Sequence, residues 1–290
     1  MTPIVLGVAL VMGLLTGFFS GLLGIGGGIV MVPFLYLVLS SPEWSGIVAP
    51  AGSGAAMAHA TSLLVIVPTA LSGTLAYRRA GVLDVRGLLP LMVAAALAAI
   101  PAAHLAGSLP DDLLRGVFGL FLLVTALRMS GVWQSRNPPD PARRSHRASG
   151  GRNRRLGGLV GGSAIGFTSA VLGVGGGIVA IPVLAGWMGM ALRQVAAGSV
   201  AIILCAAPAG VVSYMWAGRG LEGMPPGSVG FVSVPLALAL VPGAVLMAPL
   251  GARLNQRLPL SVLRAVFALL LAGVGVRLLW LHLPGVVGGG

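Results

Sequence analysis

Two glycine clusters at matching places in the sequence could bind an anion without a charged side chain. The first, Gly24 to Gly28, precedes Pro33, and the second, Gly173 to Gly177, precedes Pro182. Consecutive glycines interrupt a helix, and the free N–H groups of the helix that begins after such a break carry the positive end of its dipole. The pattern predicts a substrate site formed by backbone at Gly26, Gly27 and Gly28 and at Gly175, Gly176 and Gly177.

A packing role for the glycines is the alternative interpretation. Gly17 and Gly21, like Gly162 and Gly166, are spaced four residues apart, and small residues at that spacing let two membrane helices approach closely with no ligand present. Packing explains glycine at every fourth position, but it does not explain three consecutive glycines. Both interpretations therefore stay open for the clusters themselves.

Polar side chains near the clusters extend the predicted binding site. A hydroxyl inside a membrane span usually bonds its own helix backbone, so these residues have a structural alternative as well. His59 could carry a proton, because ionisable groups in spans are costly and usually functional. It could equally be a neutral imidazole that bonds a neighbouring helix. The polar candidates are Ser20, His59, Thr61, Ser62, Ser169 and Ser199.

The composition shows what kind of element must position these residues. Of the 290 residues, 57% are hydrophobic and 8% are charged, and the mean hydropathy is +0.99. Soluble domains carry about 25% charged residues, and the apolar stretches here are long enough to cross about 30 Å of hydrocarbon. The sequence therefore predicts an all-α polytopic membrane protein. It excludes a soluble enzyme, a disordered chain and, with one cysteine, a disulfide scaffold.

The placement of the acids narrows the chemistry. All six acids fall in loops or at the ends of the apolar segments, so carboxylate proton relays and acidic cation sites are not expected. The sequence has no H-E-x-x-H motif, no nucleophile elbow and no P-loop. We therefore expect a protein that is not an enzyme, that uses no metal or other cofactor, and whose substrate is a small anionic or neutral molecule.

An internal repeat divides the chain. Residues 17–33 (GFFSGLLGIGGGIVMVP) and 166–182 (GFTSAVLGVGGGIVAIP) share eleven of seventeen positions at an offset of 149, and Ser62 and Tyr77 match Ser199 and Tyr214 at an offset of 137. Self-similarity of this kind indicates a duplicated module. The predicted organisation is a first transmembrane repeat (1–133), an Arg-rich cytoplasmic linker (134–155) and a second transmembrane repeat (156–290).

The apolar pattern predicts about eight transmembrane helices, four in each repeat. The first segment, 4–39, has 36 residues and would be about 54 Å long as one helix, so it must be broken at its glycines. An even number of spans per repeat makes the repeats parallel. The segments are 4–39, 50–77, 87–107, 113–133, 157–190, 196–217, 228–250 and 260–281.

The arginines predict the orientation of these spans. Seven of the eighteen lie between Gln134 and Arg155, and basic loops stay in the cytoplasm and favour anionic lipid headgroups. With parallel repeats, both termini are then cytoplasmic and 13 of the 18 arginines are inside. The expected partners are the lipid bilayer and a small anion; without interleaved aromatics or a folded basic module, nucleic acid is not expected.

The doubled glycine-proline block, together with Ala60-Thr61-Ser62-Leu63 and Ala197-Gly198-Ser199-Val200, resembles the sulfite exporter TauE/SafE family of bacterial membrane proteins. The likeness covers nearly the whole chain outside the linker. It implies an inner-membrane carrier of small sulfur-containing anions such as sulfite or organosulfonates. Gly198 stands where the first repeat has Thr61, which implies an asymmetric site.

A secondary carrier that exports a small anion is the leading hypothesis, because an anion that leaves a negative interior gains about 2.3 kcal/mol per charge per 100 mV. An importer that uses His59 to carry a proton is the alternative within transport. From another class, the chain could be a membrane scaffold subunit whose glycines serve helix packing alone. The sequence leaves the anion and the oligomeric state open.

Overall fold

The computed structural model describes residues 3–129, 151–188, 190, 192–257 and 261–282, so most of the predicted linker, 134–155, lies outside the described residues. The structure is about 81% helical. The helices of the first half are α1 (Pro3–Leu23), α2 (Gly28–Ser40), α3 (Pro42–Ser45), α4 (Gly54–Arg79), α5 (Leu89–Ser108) and α6 (Asp111–Met129). Those of the second half are α7 (Gly151–Leu172), α8 (Gly177–Ile181), α9 (Leu192–Ala217), α10 (Val234–Asn255) and α11 (Ser261–His282).

Short elements connect the helices. A 3-10 turn precedes α5, a π-helical segment follows α8, and two antiparallel strands precede α10, with Ser228 opposite Ser233. They are Arg86–Leu88, Pro182–Trp187, β1 (Ser228–Val229) and β2 (Val232–Ser233).

Five of the described helices are long and apolar enough to cross a membrane, namely α1, α4, α5, α9 and α10. The prediction of a multi-pass, all-α membrane protein is confirmed. The five differ in burial: in their apolar windows, 78% of α4 and 72% of α9 is buried, against 39–44% of the other three. Helices α4 and α9 therefore form the centre, and the others present leucines such as Leu246 outward.

Close helix pairs surround this centre. Gly13, Gly17 and Gly21 of α1 pack directly on the backbone of Leu240, Ala244 and Ala248 of α10. The same contact joins Gly162 and Gly166 of α7 to Leu91 and Ala95 of α5. The packing interpretation therefore holds for the glycines that precede each cluster. Because residue numbers rise together along both pairs, the helices within each pair are parallel.

Helices α1 and α2 form a hairpin and do not continue one another. The Tyr77 hydroxyl, near the end of α4, donates to the carbonyl oxygen of Gly21 near the end of α1. By contrast, Arg115 bonds Ser40 at the end of α2 and also bonds Asp111, which accepts from the amide of Ala55 at the start of α4. We call the end of the bundle where α4 begins the first face and the end where α4 finishes the second face. Helix α1 runs to the second face and α2 returns to the first.

This hairpin overturns the predicted parallel repeats. Helices α4 and α9 are antiparallel, because Gly73 packs on Val200 while Gly210 packs on Leu63. In each half, the chain turns back once more than the predicted four spans require. In the first half, α2 makes this extra return through the interior of the bundle. The two halves therefore run in opposite directions, and the chain starts on the first face, whereas α6 ends and α7 begins on the second. The prediction that both termini lie on the side of the linker is wrong for this reason.

Candidate functional site

The predicted helix breaks are present in both glycine clusters. The chain leaves helical geometry after Leu23 and after Leu172, and it re-enters a helix at Gly28 and Gly177. Three glycines of each cluster have positive φ angles between 63° and 86°, a region that residues with a Cβ atom rarely enter. This geometry is the physical reason for the consecutive glycines, which helix packing alone does not explain.

The two glycine loops, 24–27 and 173–176, cross each other at the centre of the bundle. A methyl group at Gly26 would lie 2.8 Å from the carbonyl oxygen of Val174 and 3.2 Å from the Cα atom of Gly175. Gly28 packs on the carbonyl of Gly173, and Gly177 packs on that of Gly24. In this conformation, four of the predicted site glycines contact the backbone of the opposite loop. They are Gly26, Gly28, Gly175 and Gly177.

The remaining two predicted glycines face their own preceding helices. A methyl group at Gly27 would lie 2.5 Å from the Cγ2 atom of Thr16 and 3.3 Å from the Cβ atom of Ser20. One at Gly176 would lie 3.1 Å from the Cβ atom of Ser169. The structure therefore brings Ser20 to Gly27 and Ser169 to Gly176, as the sequence order around each cluster suggests.

Two hydroxyls at these positions lack a hydrogen-bond partner. The Thr16 and Ser169 hydroxyls are buried, and neither has a partner among the described residues. Hydroxyls of Thr69, Thr125 and Thr168 each bond the carbonyl four residues earlier at 2.7 Å. An unsatisfied buried hydroxyl costs free energy. Thr16 and Ser169 are thus the two hydroxyls beside the loops for which a ligand could supply a missing partner.

Thr16 was not among the predicted site residues. The matching position in the second half holds Ile165, so Thr16 does not belong to a repeat-matched pair of hydroxyls. The signal that could have found it is its spacing of four residues from Ser20, which places both side chains on one face of α1.

Ser62 and Ser199 anchor the loops reciprocally. Ser62 of α4 donates to the carbonyl oxygen of Gly173 at 2.8 Å, and Ser199 of α9 donates to that of Gly24 at 2.5 Å. Each central helix thus holds the loop of the other half. Both hydroxyls are fully buried and engaged with protein, so in this conformation they position the loops.

His59 and Thr61 are engaged with first-face elements. His59 Nε2 is hydrogen-bonded to the Tyr36 hydroxyl of α2, and the Thr61 hydroxyl accepts from the amide of Ser233 in β2 at 3.0 Å. The backbone of His59 also packs against Gly173, where a methyl group would lie 2.6 Å from the His59 Cα atom. His59 therefore touches both α2 and the second loop.

An ion pair near His59 joins three helix ends on the first face. Arg115 of α6 donates to Asp111 at 2.9 Å and to Ser40 at 3.2 Å, and its guanidinium lies 4.9 Å above the centre of the Tyr36 ring. The side chains of Arg115 and Asp111 are only 12% and 20% exposed. No role was assigned to Arg115 from the sequence.

The described acids stay away from the loop crossing. Asp111 pairs with Arg115, and the other four are exposed, while Asp140 lies outside the described residues. No group of three or more possible metal ligands occurs in the described ranges. In the described ranges, the crossing is therefore surrounded by backbone, hydroxyls and one histidine.

Comparison with known proteins identifies the kind of molecule that carries this arrangement. The family model described as "Sulfite exporter TauE/SafE" matches residues 9–278, which include both loops. The chain belongs to the TauE/SafE family. The resemblance predicted from the glycine blocks is confirmed, and the protein is a membrane transporter of this family.

Relatives in distant organisms match nearly the whole chain. A probable membrane transporter protein of Bacillus subtilis, YunE, is 26% identical over 94% of this chain and 97% of its own. One of Haemophilus influenzae is 26% identical over 93% of this chain and 97% of its own. One of Methanocaldococcus jannaschii is 25% identical over 95% of this chain and 96% of its own. No solved structure matches the chain.

Proposed function

We propose that this TauE/SafE protein is a secondary transporter that exports a small sulfur-containing anion, sulfite or an organosulfonate, across the bacterial inner membrane. The observation that carries the proposal is the crossing of the glycine loops with an unpartnered hydroxyl beside each loop. Transport fits the family, and an anion fits a buried region that offers hydrogen-bond donors and no described carboxylate. Thr16, Ser20 and Gly27 form one half-site, and Ser169 and Gly176 form the other.

The proposed architecture has two inverted repeats. Each contributes four long helices, eight in all, and one short helix that returns through the interior, α2 or α8. Inverted repeats with broken helices at their interface are a common design of secondary transporters, in which one repeat rocks against the other around a central site. The crossed loops are then the closed centre, and separation of the loops toward either face exposes one half-site.

The arginines are divided less evenly between the two faces in this architecture than in the arrangement with parallel repeats. With the helix directions described above, fifteen of the eighteen arginines fall at the second face or in the linker that joins α6 to α7 there. Since basic residues stay inside, the second face is cytoplasmic. Only three arginines then lie toward the outside: Arg115, Arg219 and Arg277.

Flux of radiolabelled sulfite into proteoliposomes that contain the purified protein tests the function. Export down the potential predicts flux that follows an imposed potential without any ion gradient, and Gly27→Leu should abolish it by filling the half-site. Flux that requires a pH gradient and disappears in His59→Gln would establish the importer instead. A scaffold subunit would give no flux with sulfite or with any organosulfonate.

Cysteine labelling tests the orientation independently. Val48 precedes α4 on the first face and is 65% exposed, whereas Ala80 follows α4 on the second face and is also exposed. In a Cys205→Ala background, an impermeant reagent added to intact cells should label Val48→Cys and leave Ala80→Cys unmodified. The reverse pattern would place the Arg-rich linker outside and would overturn the proposed orientation.

A further inference from the structure

His59 is the one ionisable side chain that the structure places against a glycine loop in the described ranges. Its side chain is fully buried, and its backbone packs on Gly173. The ring lies 5.7 Å from the ring centres of both Tyr36 and Phe118. A change in the charge or position of the imidazole therefore affects contacts with α2, with α6 and with the loop of the second half.

The other half has no counterpart of this cluster. At the offsets that align the two halves, His59 corresponds to Ala196 and Tyr36 corresponds to Ala185. Ala196 occupies the equivalent place, because Gly24 packs on its backbone as Gly173 packs on that of His59. The cluster is thus an addition to one half and is not required to build the loop contact.

The groups that face His59 leave no place for a positive imidazole in this conformation. Tyr36 of α2 occupies Nε2, and Nδ1 has no partner of hydrogen-bond geometry, with the backbone of Val171 in α7 as its electrostatic neighbour. Helix α6 contributes Arg115, whose charge opposes a second cation, and Asp111 is already bound to Arg115. The phenol of Tyr214 in α9 is an electrostatic neighbour of Tyr36 and donates to Ala170, so it supplies no counter-ion to His59. A buried charge without a counter-ion is costly.

We infer that His59 is a proton-binding site that controls opening of the first face: the neutral imidazole holds α2 against α4 through Tyr36, and protonation favours a conformation in which they separate. A protonated imidazole carries a hydrogen on both nitrogens, so Nε2 can only donate to the Tyr36 hydroxyl, and the hydrogen on Nδ1 has no acceptor of hydrogen-bond geometry in the closed cluster. It also gains solvation only when the cluster opens to water. A ligand shifts an equilibrium toward the state that binds it better, and here the ligand is the proton.

Solvent access to the end of α2 tests this control without any transported substrate. Leu39 is 6% exposed and lies one residue before the end of α2. In a Cys205→Ala background, the labelling rate of Leu39→Cys is measured at each pH in the protein with His59 and in the protein with His59→Gln. The first rate divided by the second is the quantity compared, because the intrinsic pH dependence of the thiol cancels in this ratio. Between about pH 8 and pH 5, the range in which histidine changes charge, the ratio should rise at least about threefold.

Two variants separate this role from simple packing. Tyr36→Phe removes the hydroxyl that holds His59, so it should raise labelling at pH 8, before any protonation. His104→Gln changes an exposed histidine near the same face and should leave the rise intact. A ratio that stays constant with pH, or unchanged labelling at pH 8 in Tyr36→Phe, would overturn the inference.

The flux arm of the test rests on the proposed transport function, whereas the labelling arm does not. If the protein transports sulfite, acid on the first-face side should accelerate flux and acid on the second-face side should not. His59→Gln should remove this one-sided response, so that acid on either side has the same effect on flux. Absence of flux in every protein, with the labelling response present, would refute the transport proposal and leave the proton site supported.

Discussion

The two glycine loops have nearly the same sequence, yet they sit in different surroundings. Each turns through three glycines with positive φ, and each receives a serine hydroxyl from the central helix of the other half. Around the first half, however, His59, Tyr36 and Thr61 bind one another or β2, whereas Ala196, Ala185 and Gly198 stand at the matching positions. The shared features build the crossing. The features that differ distinguish the two faces of the transporter.

The short helices after the loops differ in the same way. Helix α2 continues for 13 residues, whereas α8 ends after five and passes into a π-helical segment at Pro182. Both segments contain the repeat-matched proline, Pro33 and Pro182, so the proline alone does not explain the difference, and a π turn is a local irregularity that is frequent at functional sites. Helix α2 is therefore one continuous helix, whereas α8 is followed by a helical irregularity close to its loop.

The largest effect is expected from methyl groups at the crossing, which test the shared features. Gly26→Ala combines a positive φ with a clash against the opposite loop, and Gly175→Ala combines a positive φ with tight contacts to the Ile203 side chain and to Gly26; a non-glycine residue in that region of φ costs about 1–2 kcal/mol before any contact. We expect each variant to lose at least about 2 kcal/mol of stability and most of its flux, as measured by thermal unfolding in detergent and by proteoliposome assay. Gly7→Ala, with open space around it, is the control. A large loss at one loop and none at the other would break the equivalence of the loops.

Removal of the unpartnered hydroxyls should have the next largest effect. Thr16→Val and Ser169→Ala keep the packing, so we expect normal stability with flux reduced about tenfold, which corresponds to about 1.4 kcal/mol. Thr69→Val and Thr168→Val are matched controls, because those hydroxyls bond their own helices, and they should transport normally. If Thr16→Val and Thr69→Val transport equally well, the hydroxyl of Thr16 takes no part in binding.

The smallest effect is expected from the serines that anchor the loops. Ser62→Ala and Ser199→Ala each leave one buried carbonyl without its donor, a loss of about 1 kcal/mol. We expect the two variants to be destabilised by similar amounts in thermal unfolding, with flux lowered two- to fivefold, roughly in proportion. Loss of flux in either variant at unchanged stability would instead assign that hydroxyl to the substrate, as the sequence pattern first indicated.

The sequence predicted the breaks because their cause is local. Consecutive glycines disfavour a helix wherever they stand, and segment 4–39 was too long to cross a membrane once. The membrane class and the family followed from composition and from the duplicated block in the same way. The predicted segment 50–77 and the observed α4, Gly54–Arg79, agree for the same reason, since long apolar runs define their own ends.

The direction of the second half could not be predicted, because it depends on a single reversal. After Gly28, the chain could continue across the membrane or turn back beside α1. The packing of α2 against α4 decides between these two courses, and no local sequence pattern predicts that packing. One such reversal in each half makes the second half run in the direction opposite to the first. Thr16 was missed for a related reason: its importance comes from the position of Gly27 in space and not from a match in the other half.

The crossed serine bonds have a consequence for how the chain is made. Gly173 receives its hydrogen bond from Ser62, and Gly24 receives its own from Ser199, which is synthesised 175 residues later. The first half therefore enters the bilayer with an incomplete turn at Gly24 and waits there until α9 has been translated and inserted. Neither half is a self-sufficient piece, and co-expression of the two as separate chains should restore a product that neither yields alone. Assembly of this transporter therefore ends with an exchange of hydrogen bonds between its halves.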